Sequence, residues 1–430
     1  MLSQSIPLSQ TPRTLAPWKV AAAAVAGNTI EFYDFVVYSF FAVHIGRHFF
    51  PIESEFGNLL AAVITFGLGF VARPLGGLIV GAYADIRGRR AALMLTVVLM
   101  TVGTLGIAIC PGHAEIGLAA PVLLVVCRLM QGFALGGEVG PATALLIEAS
   151  PVRRRGLYAS WQLASQGMAI GLGGAVGVTV TALLTPAQLG AWGWRIPFMV
   201  GLALIPVAII IRRQLPEGWH ATTRKAGYLA TLAGGLRRHR RLLAWGLLAM
   251  MGAVVSTQVV QFMATYAIRQ QLVPAALGQA SVLVAGIATV VGALVAGVLC
   301  DRWGRKRIMW VPCALLALLA VPLFWGLNAV PGAATMFLAA AVVAGLTAAY
   351  GTACLITVPE LLPRESRATG VSIVYGCGLA LFGATSQFVF AWLGEALQDP
   401  LAPAYYVTLA ALLSLMAIRH LPESRPRVQS

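Results

Sequence analysis

The sequence predicts an all-α membrane protein in which twelve transmembrane helices form two pseudo-symmetric six-helix bundles. Three observations predict this fold: the composition, the number of long apolar runs and an internal repeat. Of the 430 residues, 59% are hydrophobic and only 10% are charged, whereas a soluble domain carries roughly 25% charged residues. Because so few polar side chains cannot cover a water-facing surface, we place most of the chain in lipid.

Twelve apolar runs, numbered here as spans 1 to 12, approach or exceed the roughly 20 residues that a helix needs to cross a bilayer core of about 30 Å. They are predicted at 19–46, 57–84, 91–110, 119–147, 157–184, 193–213, 242–268, 276–300, 308–327, 333–359, 370–394 and 402–420. The predicted domains are a tail at 1–18, a first bundle at 19–213, a central loop at 214–241, a second bundle at 242–420 and a tail at 421–430.

The two halves of the chain repeat each other. Residues 81–90 (GAYADIRGRR) follow span 2, and residues 297–306 (GVLCDRWGRK) follow span 8, 216 positions later. Residues 148–151 (EASP) follow span 4, and residues 360–363 (ELLP) follow span 10, 212 positions later. Two motifs at nearly the same offset indicate a duplicated six-helix unit, which is typical of secondary transporters. A channel or a receptor needs no such duplication.

The basic residues predict the orientation. The net charge is +15, and 25 of the 30 Lys and Arg residues fall in the tails and in the loops that share one side of the membrane. Because cytoplasmic loops carry the excess of Lys and Arg, we expect both termini in the cytoplasm. No cleavable signal sequence is visible before span 1, so we expect span 1 to be retained. The charge is thus explained without a nucleic-acid partner, and we expect none.

Five charged residues fall clearly within the spans, all in the first half: Glu31, Asp34, Arg73, Arg128 and Glu138. A charge at the bilayer centre costs at least about 2.5–3.5 kcal/mol on insertion scales, so such residues are functional candidates. On span 1, Asn28, Glu31, Asp34 and Tyr38 share one helical face because their spacings of three and four residues match the helical turn.

Depth in the membrane allows Asp34 to pair with Arg128, and Arg73 to pair with Glu31 or Glu138. Static ion pairs that only orient the helices are one interpretation. The functional interpretation is a proton switch, in which a proton neutralises Asp34 and frees Arg128. The planar donors of a guanidinium then suit a substrate carboxylate.

Uncharged polar residues complete the candidate set. Gln162 and Gln166 lie one turn apart on span 5 and fit either a substrate or ordinary interhelical hydrogen bonds. The second half contributes polar residues that we expect to shape the cavity: Gln258, Gln261, Tyr266, Tyr350, Thr352 and Tyr375.

Several motifs carry a resemblance to a known family. They are residues 27–35 (GNTIEFYDF), 73–77 (RPLGG), 128–138 (RLMQGFALGGE) and 192–198 (WGWRIPF). With the repeated loops, they make nearly the whole chain resemble the major facilitator superfamily, and within it the metabolite:proton symporter branch. Residues 49–56 (FFPIESEF) and 158–166 (YASWQLASQ) are most similar to the citrate and tricarballylate carriers.

The resemblance implies a proton-coupled symporter that imports a citrate-like di- or tricarboxylate by alternating access. The implied location is a bacterial cytoplasmic membrane. The candidates for proton coupling are Asp34, Glu31, Arg128 and Glu138. The candidates for substrate binding are Asn28, Tyr38, Arg73, Arg128, Gln131, Gln162, Gln166, Tyr350 and Tyr375. The repeated loops resemble the family's conformational latch, whose candidates are Asp85, Arg89, Asp301, Arg305, Glu148, Arg155, Glu360 and Arg367. Arg195, at the outer edge of span 6, fits an entry or gate role.

Other functions remain open. The substrate alternatives are oxoglutarate, a shikimate-like acid or a zwitterionic osmolyte. A proton-coupled drug exporter is expected to have a more apolar cavity with fewer arginines, and a nutrient sensor usually adds a long cytoplasmic domain. An enzyme needs a nucleophile–base pair or a metal set, and neither is visible. We expect a monomer in the lipid bilayer that needs no cofactor or metal. We expect the proton gradient to drive transport, because the sequence contains no Walker motif that would predict direct use of ATP.

Overall fold

The computed structural model describes residues 17–50, 52, 54–87, 89–213, 237–362 and 367–424. Helices occupy all twelve predicted spans. In the first half, the helices of spans 1 to 6 are Pro17–Phe40 with Ala42–Phe49, Glu55–Val71 with Arg73–Arg87, Arg89–Ile109, Ala119–Ala149, Arg155–Leu183 and Ile196–Arg213. In the second half, those of spans 7 to 12 are Arg240–Arg269, Ala275–Trp303, Arg305–Ala329, Ala333–Glu360, Arg367–Gly378 with Ala384–Leu397, and Ala402–His420.

Ten helices in the described part of the chain are long and apolar enough to cross a membrane. The other two predicted spans are helical as well: span 1 carries the buried Glu31 and Asp34, which lower its hydropathy, and span 6 is a shorter apolar helix. Short helices at His113–Ile116 and Pro186–Ala191 connect spans 3 to 4 and 5 to 6. The predicted all-helical, twelve-span fold is confirmed.

Two spans are interrupted near their middle. Span 2 breaks between Val71 and Arg73, because Pro74 has no N–H to donate to the carbonyl of Phe70 one turn earlier. Span 11 contains a π-helical turn at Leu379–Gly383. Such turns are rare in proteins and occur frequently at functional sites. Both interruptions lie beside the boundary between the two bundles.

The contacts between the halves obey the symmetry of the repeat. Span 5 packs along span 8, and its counterpart, span 11, packs along span 2. The contact of span 4 with span 11 is matched by the contact of span 10 with span 5. Span 1 contacts its own counterpart, span 7. Each contact is thus matched by its repeat image, so the second half is related to the first by a pseudo-two-fold axis between the bundles.

Spans 5 and 8 approach closely because glycines face each other along both helices. A Cβ atom built on Gly286 would lie 2.6 Å from the Gly171 Cα atom, and one on Gly174 would lie 2.8 Å from the Leu283 backbone nitrogen. Small residues at helix interfaces allow this backbone approach within membranes. The two bundles are therefore in contact through bare backbone along this seam.

The outermost spans present apolar side chains to the surroundings. On span 9, Leu318 and Trp325 are 68% and 64% exposed, and on span 12, Leu409 and Leu412 are 53% and 52% exposed. In a water-soluble protein such surfaces would be unfavourable, whereas hydrocarbon tails match them. Below, the face of the molecule where span 1 begins and span 12 ends is called the termini face, and the opposite one the far face.

Candidate functional site

A cavity lies between the two bundles, near the middle of the spans. Its walls come from spans 1, 2 and 5 of the first half and from spans 7, 10 and 11 of the second. Among its described lining residues, Arg73 alone carries a formal charge. The polar lining residues are Arg73, Gln166, Thr257, Gln258, Gln261, Thr347 and Tyr375.

Arg73 follows the break in span 2 and is only 2% exposed. Its guanidinium carbon lies 4.2 Å from the ring centroid of Phe70 and 4.5 Å from that of Phe35, so the group is held by cation–π contacts. Its three side-chain nitrogens have no hydrogen-bond partner within the described residues. The expected pairing with Glu31 or Glu138 therefore does not form through hydrogen bonds, although both carboxylates are buried in the same bundle.

Gln166 and Tyr375 join the two halves across the cavity. The Gln166 Nε2 group donates to the Tyr375 hydroxyl at 3.2 Å. Both residues were substrate-binding candidates, and the structure brings them together in the cavity lining with Arg73. Towards the far face, the Gln387 amide donates to Ser39 at 3.2 Å and to Gln258 at 3.3 Å, so it also connects the two bundles.

Asp34 and Arg128 belong to one buried cluster, but Gln131 lies between them. The Arg128 Nη1 group donates to the Gln131 Oε1 atom at 2.8 Å, and the Gln131 Nε2 group donates to the Asp34 Oδ2 atom at 3.3 Å. Thr104 of span 3 also donates to Asp34 Oδ2 and accepts from Gln131 at 3.0 Å. Among the described residues no direct ion pair joins Asp34 to Arg128, so the direct pairing that depth allows is replaced by a bridge.

Aromatic rings separate this cluster from the cavity. The Arg128 guanidinium carbon lies 4.1 Å from the Tyr38 ring centroid, 4.4 Å from that of Phe35 and 5.3 Å from that of Phe66. Phe35 and Phe66 line the cavity on their other side, whereas Arg128, Gln131 and Asp34 do not. Of the two deep arginines, only Arg73 faces the cavity in this conformation.

Other substrate-binding candidates have protein partners. Asn28 donates to Ser165 at 2.6 Å and accepts from Gln162 at 3.1 Å, so these residues join span 1 to span 5. The Tyr38 hydroxyl donates to the Ala62 carbonyl at 3.2 Å. Tyr350 is fully buried, but outside the cavity lining. For Asn28 and Gln162, the interpretation as interhelical hydrogen bonding fits these contacts better than substrate contact.

On the termini face, the loop after span 8 connects three elements. Asp301 accepts from the backbone nitrogens of Gly156 at 2.9 Å and Leu157 at 3.1 Å, at the start of span 5 next to Arg155. Arg305 donates to both oxygens of Glu360 at 3.0 Å each and lies 3.6 Å from Asp301. The remaining latch candidates, Asp85, Arg89, Glu148 and Arg367, have side chains outside the described residues.

Glu423, after span 12, also joins this cluster. Its carboxylate accepts from the backbone nitrogens of Arg305 at 2.8 Å and Lys306 at 3.0 Å, which caps the start of span 9. Gly304, between spans 8 and 9, has a φ of +94°, a conformation that glycine adopts without strain. A side chain there would also collide with Glu423.

On the far face, Arg195 contacts residues that sequence reasoning missed. Its Nη2 group lies 2.9 Å from the His48 Nε2 atom and donates to the Cys110 carbonyl at 3.0 Å. Its guanidinium stacks on Trp194 at 4.4 Å. These contacts tie the end of span 1 to the end of span 3 and the start of span 6. Thr104 was missed too, because a lone threonine in an apolar run carries no distinctive signal.

The class of protein follows from the fold together with a family match. Residues 24–378 and 272–429 match the family model of the Major Facilitator Superfamily. The chain therefore belongs to this superfamily of membrane transporters. The predicted family is confirmed, and so is the prediction that the chain is not an enzyme, because the similar proteins are all transporters.

Similar characterised proteins differ in the substrates that their names give. The citrate-proton symporter of Klebsiella pneumoniae is 32% identical over 403 residues, with 92% of this chain and 90% of that protein covered. The alpha-ketoglutarate permease of Escherichia coli (strain K12) is 32% identical over 408 residues, with 93% and 92% covered. The proline/betaine transporter of the same strain is 32% identical over 418 residues, with 93% and 82% covered.

A solved structure supports the fold. The xylose transporter XylE from E. coli, in a partially occluded inward open conformation, matches with a TM-score of 0.78. The match covers 96% of this chain and 99% of that one at 16% identity. At such low identity the match concerns the fold and not the substrate.

Proposed function

We propose that this chain is a proton-coupled symporter that imports a di- or tricarboxylate, with citrate as the first candidate. The observation that carries the proposal is Arg73, a buried guanidinium in the wall of the cavity between the bundles that has no hydrogen-bond partner among the residues that the structure describes. A buried charge is costly unless it is paired, and a carboxylate satisfies its donors in a bidentate manner. The relatives that are named as citrate-proton symporters support the choice of cargo.

The second-half side of the cavity favours a substrate that also donates hydrogen bonds. The Gln261 Oε1 atom and the Thr347 hydroxyl are buried there without a partner within the described residues. An amide oxygen only accepts, so it needs a hydrogen-bond donor from the substrate, which a hydroxyl or a protonated carboxyl provides. Citrate carries both a hydroxyl and carboxyl groups, and this chemistry supports a hydroxylated carboxylate.

In this proposal protons enter through Asp34 and its cluster with Arg128, with Glu31 and Glu138 as further buried acids of the first bundle. The chain resides in a bacterial cytoplasmic membrane with both termini in the cytoplasm, so the termini face is cytoplasmic. Asp301, Arg305 and Glu360 then form a latch that closes this face and opens during alternating access. The proton gradient supplies the driving force, and no cofactor is required.

Uptake into proteoliposomes tests the proposal. An imposed inward proton gradient is expected to accumulate labelled citrate above its outside concentration, and a protonophore is expected to abolish the accumulation. Oxoglutarate, succinate, tricarballylate and betaine serve as competing solutes. Accumulation of betaine with no uptake of any carboxylate would show that the cargo is zwitterionic and that Arg73 does not select a di- or tricarboxylate.

Tricarballylate gives the sharper comparison, because it differs from citrate only by the missing hydroxyl. If Gln261 and Thr347 bind that hydroxyl, we expect tricarballylate to compete about tenfold less well, since an unsatisfied buried polar group costs about 1–3 kcal/mol. Replacing Gln261 by Leu is expected to reduce the difference between the two acids, because only Thr347 then remains to bind the hydroxyl. Equal competition in the wild-type protein would contradict this part of the proposal.

A further inference from the structure

We infer that Gln131 is a positioning residue for proton coupling, whose side-chain amide relays the protonation state of Asp34 to the guanidinium of Arg128. The inference rests on the proposed proton symport. It starts from the bridge in which one amide group contacts both charged residues, at 2.8 Å and 3.3 Å. A direct ion pair would need no such intermediate.

The chemistry of the two neighbours fixes the orientation of the amide. A guanidinium can only donate hydrogen bonds, and an ionised carboxylate can only accept them. The amide oxygen must therefore face Arg128 and the amide nitrogen must face Asp34, which is the observed arrangement. Thr104 reinforces it, because its hydroxyl donates to Asp34 and accepts from the amide nitrogen.

A proton on Asp34 removes the basis of this orientation. A hydrogen bond to a charged group is roughly twice as strong as one between neutral groups, so the amide is held less firmly once Asp34 is neutral. The new carboxyl O–H needs an acceptor, and the Gln131 oxygen provides one if the amide reverses. The reversed amide presents N–H donors to Arg128, which is released towards Phe35 and Phe66 and the cavity behind them.

Among the described residues, the groups around the cluster come from five spans. Tyr33 and Tyr38 of span 1 lie beside Asp34 and Arg128, and Cys127 of span 4 lies beside Arg128. Span 2 contributes Arg73, whose positive charge contacts the same Phe35 ring as Arg128. Span 3 contributes Thr104. Span 6 contributes Gly201, where an added Cβ atom would lie 2.8 Å from the Asp34 Oδ1 atom. Asp34 is the only carboxylate in this described set, so a single proton decides the orientation of the amide.

Infrared difference spectra between low and high pH test the relay in the purified protein without substrate. The wild-type spectrum is expected to show a carboxyl band from Asp34 together with side-chain amide bands from Gln131. Asp34→Asn should remove both sets, whereas Gln131→Leu should remove only the amide bands. Asn328→Leu is the matched control, because this amide bonds Tyr266 in the other bundle, and it should keep both sets.

Transport gives the second readout. With Gln131→Leu, we expect the proton-driven accumulation of citrate to fall roughly tenfold, because coupling between two sites typically changes an equilibrium by about this factor. Citrate counterflow should continue. Gln131→Glu keeps the size of the side chain that packs on Gly103. This variant therefore tests the relay even if Gln131→Leu does not fold. Its added carboxylate binds Arg128 whatever the state of Asp34, so coupling is again lost.

The outcomes separate the relay from the proposed function. Amide bands that persist in Gln131→Leu, or wild-type accumulation in both Gln131 variants, would overturn the relay. If no carboxylate accumulates in the wild type while the infrared pattern is as expected, the proposed symport fails and the relay stands.

Discussion

At the scale of the residue, Phe35 separates two buried guanidinium groups with different surroundings. The guanidinium carbons of Arg73 and Arg128 lie 4.5 Å and 4.4 Å from the Phe35 ring centroid. Arg73 faces the cavity, whereas Arg128 donates to a neighbouring amide. Arg73 therefore belongs to the cavity wall, whereas Arg128 is separated from the cavity by aromatic rings.

Arg73→Gln is expected to weaken citrate binding about 10- to 100-fold, because a hydrogen bond to a charged group contributes about 1.5–3 kcal/mol. Arg73→Lys should weaken it less, since the charge remains while the planar pair of donors is lost. Isothermal titration calorimetry on the detergent-solubilised protein measures both. Arg154→Gln, at an exposed residue of the termini face, is the control. Unchanged affinity in Arg73→Gln would exclude Arg73 from the binding site.

Asp34→Asn is expected to abolish uphill accumulation of citrate while sparing some exchange. The amide keeps the size of the carboxylate, but it cannot gain or lose a proton at Asp34's place in the cluster. Proton-driven uptake and citrate counterflow, measured on the same proteoliposomes, separate the two activities. Wild-type accumulation by this variant would remove Asp34 from the mechanism.

The buried charges of the candidate site were predictable from residue type, but their contacts were not. The sequence shows that Asp34, Arg73 and Arg128 lie within spans, because charges in apolar runs stand out. Depth along a helix follows from residue count, whereas the direction in which a side chain points from its axis also depends on helix packing. Depth alone therefore paired Asp34 with Arg128 and could not show that Gln131, one turn from Arg128, lies between them.

At the scale of the element, the glycine seam between spans 5 and 8 sets how closely the bundles approach. Gly286→Ala is expected to lower the free energy of unfolding by about 1–3 kcal/mol, the usual cost of overpacking, because its Cβ atom meets the Gly171 backbone. Gly326→Ala on span 9 is the matched control, since nothing lies within 4 Å of its added Cβ atom.

Thermal unfolding of both glycine variants checks this expectation, together with the initial rate of transport. The seam joins the two bundles, so Gly286→Ala should also slow transport, whereas Gly326→Ala should leave it unchanged. Equal behaviour of the two variants would mean that the seam relaxes without cost.

The interruptions in the spans show how local the predictable signals are. Pro74 marks the break in span 2 directly, because a missing N–H affects one hydrogen bond at a known position. The π-helical turn at Leu379–Gly383 has no comparable residue signature. It depends on how span 11 packs against its neighbours, which no apolar run reveals.

At the scale of the whole molecule, the predicted orientation can be tested by labelling. In a background without native cysteines, Ala114→Cys on the far face should react with an impermeant maleimide in intact cells. Arg154→Cys on the termini face should react only after the membrane is opened, because basic loops stay in the cytoplasm. Both positions are exposed. The reverse labelling pattern would show the opposite orientation in the membrane, with the termini face and its latch outside the cell.

The repeat and the composition were sufficient to predict the architecture because both are properties of the whole chain. Offsets of 216 and 212 positions between the loop motifs require two equivalent halves. The symmetric pairing of spans 5 and 8 with spans 11 and 2 follows once the halves face each other. The seam itself needs structure, since glycines are common throughout a chain that contains 46 of them.

The cap that Glu423 places on span 9 has a consequence for biosynthesis. Arg305 and the Glu423 carboxylate that caps span 9 are 118 positions apart in the chain. The ribosome therefore synthesises span 9 long before the carboxylate that caps its first turn exists. During insertion those backbone N–H groups must rely on water or on lipid headgroups. The second bundle therefore reaches its final form only after residue 423 has been translated, and a nascent chain stalled at residue 420 would lack this contact.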